Sequence, residues 1–292
     1  VCAHILTAPI DIGQSARLRA PPGWASSFVP RAAPEGRAPP FVPRAGGYRA
    51  HATADSTKHA PSITKEATTR AEPIRLPGAF MTEDDVEIIE KTTPFKGYFQ
   101  VDRYRLRHRL FDGGWSDSMT REVFERSHAT AVLPYDADLD TLVLIEQFRS
   151  GAHAALQSPL CAGYHGSWLV ECVAGIIEEG ETPEDVAYRE MIEETGCRLT
   201  DLVSVCRYLV SPGGSSETVF VFCGRVDASN AGGIHGLVHE QEDLRVFTVA
   251  PEDAFALLDS GAIVNAMTII ALQWFRANHA QLRQRWRNPA GS

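Results

Sequence analysis

Between Ala174 and Cys197 the chain carries Gly175, Glu181 and then the run Arg189-Glu190-Met191-x-Glu193-Glu194-x-Gly196-Cys197, and this stretch limits the fold more than any other. Pro183 suits a first helical turn and Gly196 suits a helix end, so the spacing predicts a helix from about Glu184 to Gly196. Glu190, Glu193 and Glu194 then stand at i, i+3 and i+4 on one face. Like charges so placed disfavour both the helix and their joint ionisation unless a cation lies among them. Oxygen ligands without His or Cys suit magnesium or manganese better than zinc. Three glutamates alone would read as a solvated acidic face.

The patterning around this helix gives strands first and helices last. Residues 86–89, 98–110 and 119–126 read as three antiparallel strands, parted by turn residues such as Asp112-Gly113-Gly114. The middle strand alternates apolar or aromatic with basic side chains, which predicts a cationic face. So small a sheet is marginal alone, and a partner subunit is one way to support it. Residues 129–134 and 141–149 form a hairpin whose second strand is apolar throughout, as expected of a strand covered on both faces. Residues 150–167 read as a loop of small residues. The strand at 168–173 then runs straight into Gly175, so the acidic helix starts from a strand end.

Further strands are expected at 202–210 and 218–226, joined through Ser211-Pro212-Gly213-Gly214-Ser215-Ser216-Glu217, whose Pro and Gly suit a tight turn. Residues 232–243 form a long glycine-containing loop ending in acid, and long loops in compact domains are often functional. Helices at 251–258 and 266–286 close the chain; Ile269, Ile270, Leu272, Trp274 and Phe275 make the packing face of the second. The class is α+β.

Composition divides the chain. Residues 1–80 hold ten Lys/Arg against five Asp/Glu and 11 of the 18 prolines; residues 81–292 hold 18 against 32. The first segment shows no steady period and cannot bury enough apolar surface to offset its entropy, so we expect disorder. Its Arg-rich, acid-poor character is weakly like a transit peptide. The chain starts at Val1 and Met81 precedes the first patterned segment, so upstream translated sequence is the favoured account of these residues. The organisation expected is a 1–80 extension, an 81–128 sheet serving dimerisation and substrate, and a 129–288 catalytic domain. The acidic body argues against nucleic-acid partners and suits a protein that binds cations and, through them, phosphate. No run of about 18 apolar residues occurs, so no transmembrane helix is expected. The six cysteines show no Cys-x-x-Cys pair and read as reduced, in line with a cytoplasmic protein.

Taken together, Gly175, Glu181, Arg189, Glu190, Glu193, Glu194 and Gly196, with apolar Met191 and Cys197, fill every fixed position of the signature of the Nudix hydrolases. From about Asp84 to Arg287 the chain closely resembles one branch, the bacterial ADP-ribose pyrophosphatases. Segments that carry this include Val143-Leu-Ile-Glu-Gln-Phe-Arg149, Val173-Ala-Gly175 and Ile270-Ala-Leu-Gln-Trp274. The resemblance implies a Nudix fold, a mixed sheet between helices, preceded by the small sheet. It also implies magnesium-dependent cleavage of ADP-ribose to AMP and ribose 5-phosphate, with two or three ions per site.

By the same resemblance the Ala174 carbonyl, Glu190 and Glu194 look like metal ligands, with Glu193 bridging or supporting and Glu242 a further ligand. Glu240 resembles the general base. Arg121, Arg126 and Arg149 are similar to substrate arginines, whose planar fork suits phosphate oxygens. Glu122 and Ser211 fall at substrate-contact positions, and Glu217 at the place that holds the terminal ribose. Pro212, fifteen residues after Cys197, resembles a marker of ADP-ribose preference. Tyr98 and Phe99 correspond to an aromatic pair that sandwiches adenine from the neighbouring subunit, which implies a homodimer with exchanged N-terminal sheets. The 150–167 loop and the extension before Met81 depart from the branch. Two other functions remain open: hydrolysis of other nucleoside diphosphate sugars, and non-hydrolytic binding of ADP-ribose.

Overall fold

The computed structural model describes residues 81–161, 166–237 and 241–287. The expectations for residues 1–80 lie outside them.

β1 (Val86–Lys96), β2 (Gln100–His108) and β3 (Met119–Glu125) form the antiparallel three-stranded sheet. β1 runs 11 residues where four were expected, and Tyr98 and Phe99 sit in the turn after it rather than on the second strand. The expected cationic face of β2 is neutralised. Arg103 pairs with Glu122, Arg105 with Glu90 and Arg107 with Glu87, at 2.8, 3.3 and 2.6 Å. These partners lie directly opposite on the flanking strands, where opposite charges attract.

The larger sheet begins with the hairpin of β4 (Ala129–Asp136) and β5 (Thr141–Phe148), both mostly buried. These strands pair only at Tyr135↔Leu142 and Asp136↔Thr141 and then part like a fork. The chain refills the fork. α1 (Ser150–Ala155) and a short 3-10 turn, Pro159–Cys161, occupy part of the stretch read as loop. β6 (Trp168–Glu171) then pairs with β5, and β7 (Val173–Ile176) pairs with β4. Residues 174–176 are thus fixed along β4 before the acidic helix begins.

That helix, α2, spans Pro183–Thr195. Its ends are local chemistry: the Thr182 hydroxyl accepts from Asp185 N (3.2 Å), Asp185 Oδ2 accepts from Thr182 N (2.9 Å), and Gly196 at φ 69° closes the last turn. β8 (Asp201–Leu209) and β9 (Thr218–Arg225) follow, β9 running parallel to β4. β10 (Gly233–His235) and β11 (Leu244–Val249) extend the other edge to give the order β10-β11-β5-β4-β9-β8. The patterning gave no strand at β11.

α3 (Pro251–Asp259) and α4 (Ala266–Arg287) end the described chain. Leu144, Phe255, Leu272, Phe275 and Trp286 pack together on one side of the sheet, while Val143, Ile145, Ala187 and Met191 pack on the other. Each large apolar side chain so buried stabilises the fold by about 1.5–3 kcal/mol. The sheet therefore lies between α2 and the α3–α4 pair. No described helix is long and apolar enough to cross a membrane.

Candidate active site

The acids of α2 do not behave alike. Glu194 is 3% exposed, and its Oε2 accepts one hydrogen bond, from Ala174 N at 3.2 Å. Burial, then the charge of Glu190, pushes its carboxyl well above the ordinary range, with Glu242 adding to the effect. Glu190 is also raised, first by burial, and Arg189 offsets part of that. A Cβ at Gly175 would collide with the Glu190 carboxylate, so glycine is needed there to let the side chain press against the strand.

Arg189 is the organiser that spacing did not disclose. Its Nη1 donates to Glu190 (2.7 Å) and Glu193 (3.1 Å), its Nε to Glu181 (2.9 Å), and its Nη2 to the Ile176 carbonyl (3.2 Å). The clue available in the sequence was its position one residue before Glu190 and four before Glu193. Among the described residues no three acidic, His or Cys side chains form a ready cage for an ion. What the site offers is a set of hard oxygens: buried Glu194 with no ion-pair partner among the described residues, Glu190 beside it, and the Ala174 backbone nearby. That donor set fits a hard divalent cation, which would relieve the cost of burying the unpaired charge.

Ala174 and Glu190 front a cleft of about 670 Å³, whose wall does not include the buried Glu194. Ala174, Glu190 and Glu193 line it with Glu242 from the late loop, and Arg126, Arg149 and Glu217 line it from β3, β5 and β9 or their ends. Arg126 Nη1 lies 3.5 Å from Glu217 Oε2, and Arg149 Nε donates to buried Glu171 at 2.7 Å. Tyr98 reaches the same cleft and, with Phe99, lines an adjoining cavity of about 500 Å³. Phe99 stacks near Phe124 (4.9 Å) and under Arg126 (5.5 Å).

Other expected site residues lie elsewhere. Glu122 is bound to Arg103, Arg121 Nη1 donates to the Thr120 carbonyl, and neither lines the cleft. Ser211 stands in the β8–β9 turn, its carbonyl accepting from Gly214 N and Ser215 N. Glu240 is outside the described residues.

A family model described as the NUDIX domain matches residues 125–289. The chain is 47% identical over 214 residues to an ADP-ribose pyrophosphatase of Escherichia coli strain K12, covering 73% of this chain and 98% of that one. It is 40% identical over 206 residues to an ADP-ribose pyrophosphatase of Haemophilus influenzae, covering 70% and 93%. A GDP-mannose pyrophosphatase of Cronobacter sakazakii is 32% identical over 207 residues, with 68% and 96% covered. A solved structure described as an ADP compounds hydrolase superposes with a TM-score of 0.52 at 20% identity, over 70% of this chain and all of that one, a likeness of fold.

Proposed function

The chain belongs to the Nudix family, and from that premise we propose that it cleaves the diphosphate bond of ADP-ribose to AMP and ribose 5-phosphate. The observation that carries this is a cleft that presents Glu190 and Glu193 together with Arg126 and Arg149, with buried Glu194, which has no ion-pair partner among the described residues, next along the same helix face. The relatives' names point to the same substrate.

Magnesium, two or three ions with manganese as a substitute, would neutralise the diphosphate and lower the pKa of the attacking water. The Ala174 carbonyl, Glu190 and Glu194 would hold it, supported by Glu193 and by Glu242. Before it binds, Arg189 offsets the repulsion between Glu190 and Glu193. Arg126 and Arg149 offer planar forks to the phosphate oxygens, and Glu217 binds the terminal ribose. Glu240 takes the proton of the attacking water, a role that rests on the resemblance to the family. Ser211 and Pro212 border the substrate from the β8–β9 turn.

The three-stranded sheet, residues 81–128, serves dimerisation. All 11 residues of β1 are exposed, among them Ile88 and Phe95, and Tyr98 is 85% exposed beside the cleft. Such apolar exposure suits burial against a second copy. In that homodimer, with N-terminal sheets exchanged, Tyr98 and Phe99 hold adenine, and Arg121 and Glu122 act in the partner's cleft. The five described cysteines are free, in keeping with a reducing compartment such as the cytoplasm.

Incubating purified protein with ADP-ribose and GDP-mannose, with magnesium or with chelator, tests the reading. We expect AMP from ADP-ribose only with the metal. Faster release of GMP from GDP-mannose would favour the sugar-nucleotide alternative, for which the 32% identical relative speaks. Binding of ADP-ribose without turnover would make the chain a sensor.

A further inference from the structure

Glu171, at the end of β6, is 1% exposed and divides its two oxygens between distant parts of the chain. Oε2 accepts from Arg149 Nε at 2.7 Å and Oε1 from Asn265 Nδ2 at 2.6 Å. Asn265 immediately precedes α4, and its Oδ1 accepts from Thr268 N and Thr268 Oγ1, both at 3.2 Å. The Thr268 hydroxyl in turn accepts from Cys172 N at 3.0 Å, the residue next to Glu171. The circuit closes on itself and fixes the carboxylate from both sides.

Its product is the orientation of Arg149. The bond to Glu171 uses Nε, and among the described residues neither Nη has a hydrogen-bond partner. Arg149 lines the cleft, as does Met267 in the first turn of the same α4. A guanidinium held at Nε has its plane set before an anion arrives, so less ordering remains to be done on binding.

We propose that Glu171 and Asn265 are positioning residues that aim the Arg149 fork at the diphosphate of the substrate, although neither touches it. This rests on the assignment of Arg149 to substrate binding made above. A merely structural carboxylate would also be buried and bonded, but its loss would lower stability without a selective change in KM.

Steady-state kinetics with ADP-ribose and magnesium on the full chain separates the two. We expect Arg149→Ala to raise KM about tenfold or more. Glu171→Gln should raise it about fivefold with kcat changed less than about twofold, and the double variant should be no worse than Arg149→Ala alone. Asn265→Ser keeps a helix-capping oxygen while losing the amide donor, so KM should rise about two- to threefold at a nearly constant Tm. Should Glu171→Gln fail to fold, Asn265→Ser carries the test. Unchanged KM in both variants, or full multiplication of the Glu171→Gln and Arg149→Ala effects, overturns the proposal while leaving Arg149 in place. An unchanged KM in Arg149→Ala overturns the substrate assignment itself and the proposal with it.

Discussion

Asp102 in the three-stranded sheet and Glu194 on α2 are both sealed from solvent, yet they are treated in opposite ways. Asp102 Oδ1 accepts from Thr93 Oγ1 (2.6 Å) and Gln100 Nε2 (2.9 Å), and Oδ2 lies 2.8 Å from Lys91 Nζ. The bond from Lys91, then that from Thr93, holds its carboxyl below the ordinary range. Glu194 has a single backbone donor, and burial drives its carboxyl up. The contrast separates two uses of one side-chain chemistry. An acid that ties strands together finds its partners within the chain, whereas Glu194, behind the cleft-lining Glu190, is left with one backbone donor and no ion pair among the described residues.

The sharpest way to break this contrast is to neutralise each acid. Glu194→Gln should cut kcat by about a thousandfold or more while Tm holds or rises, because a buried charge short of partners is removed. Asp102→Asn should do the reverse, lowering Tm with a far smaller change in kcat. Equal losses of Tm in the two variants, measured by thermal melts beside the kinetics, would erase the distinction.

A smaller effect is expected from pH. The folded-state pKa of Asp102 lies below its ordinary 3.8, so its stabilisation is complete above that value and is lost as pH falls through the lower one. Glu194 has the opposite sign. Its folded pKa lies above the ordinary 4.5, so its share is complete below 4.5 and is lost as pH rises through the raised value. Melts in chelator across acid pH should therefore show Asp102→Asn flattening the most acidic limb and Glu194→Gln flattening the limb above pH 4.5. A wild-type profile unaltered by either change would sink the assignment of these limbs.

The smallest effect concerns the end of the helix that carries the cleft acids. Gly196 sits at φ 69°, and alanine there should cost about 1 kcal/mol. Denaturant unfolding of Gly196→Ala measures it, and no loss would mean that the helix end is free to adopt another turn.

Much of the acidic helix was readable in advance. Pro183 and Gly196 act on neighbours within four residues, so composition and spacing are enough to place α2. The apolar run of β5 and the turn at Ser211 are of the same kind. The roles of Arg189 and Glu171 were not readable, and neither was the neutralised face of β2. Arg103 and Glu122 are 19 residues apart, and Asn265 meets Glu171 across 94. β11 escaped notice because its short apolar run is recognisable only beside β5, with which it pairs.

What the amino-acid order determined by itself was where most of the strands and the longer helices run, where the acids repeat along α2, and which family signature they complete; these are properties of residues close along the chain. Tertiary structure alone decided which of those acids would be buried, which arginine would hold them apart, and which carboxylate would hold Arg149. Desolvation and hydrogen bonding act between groups brought together by sheet register and packing, and no local pattern records who those neighbours will be.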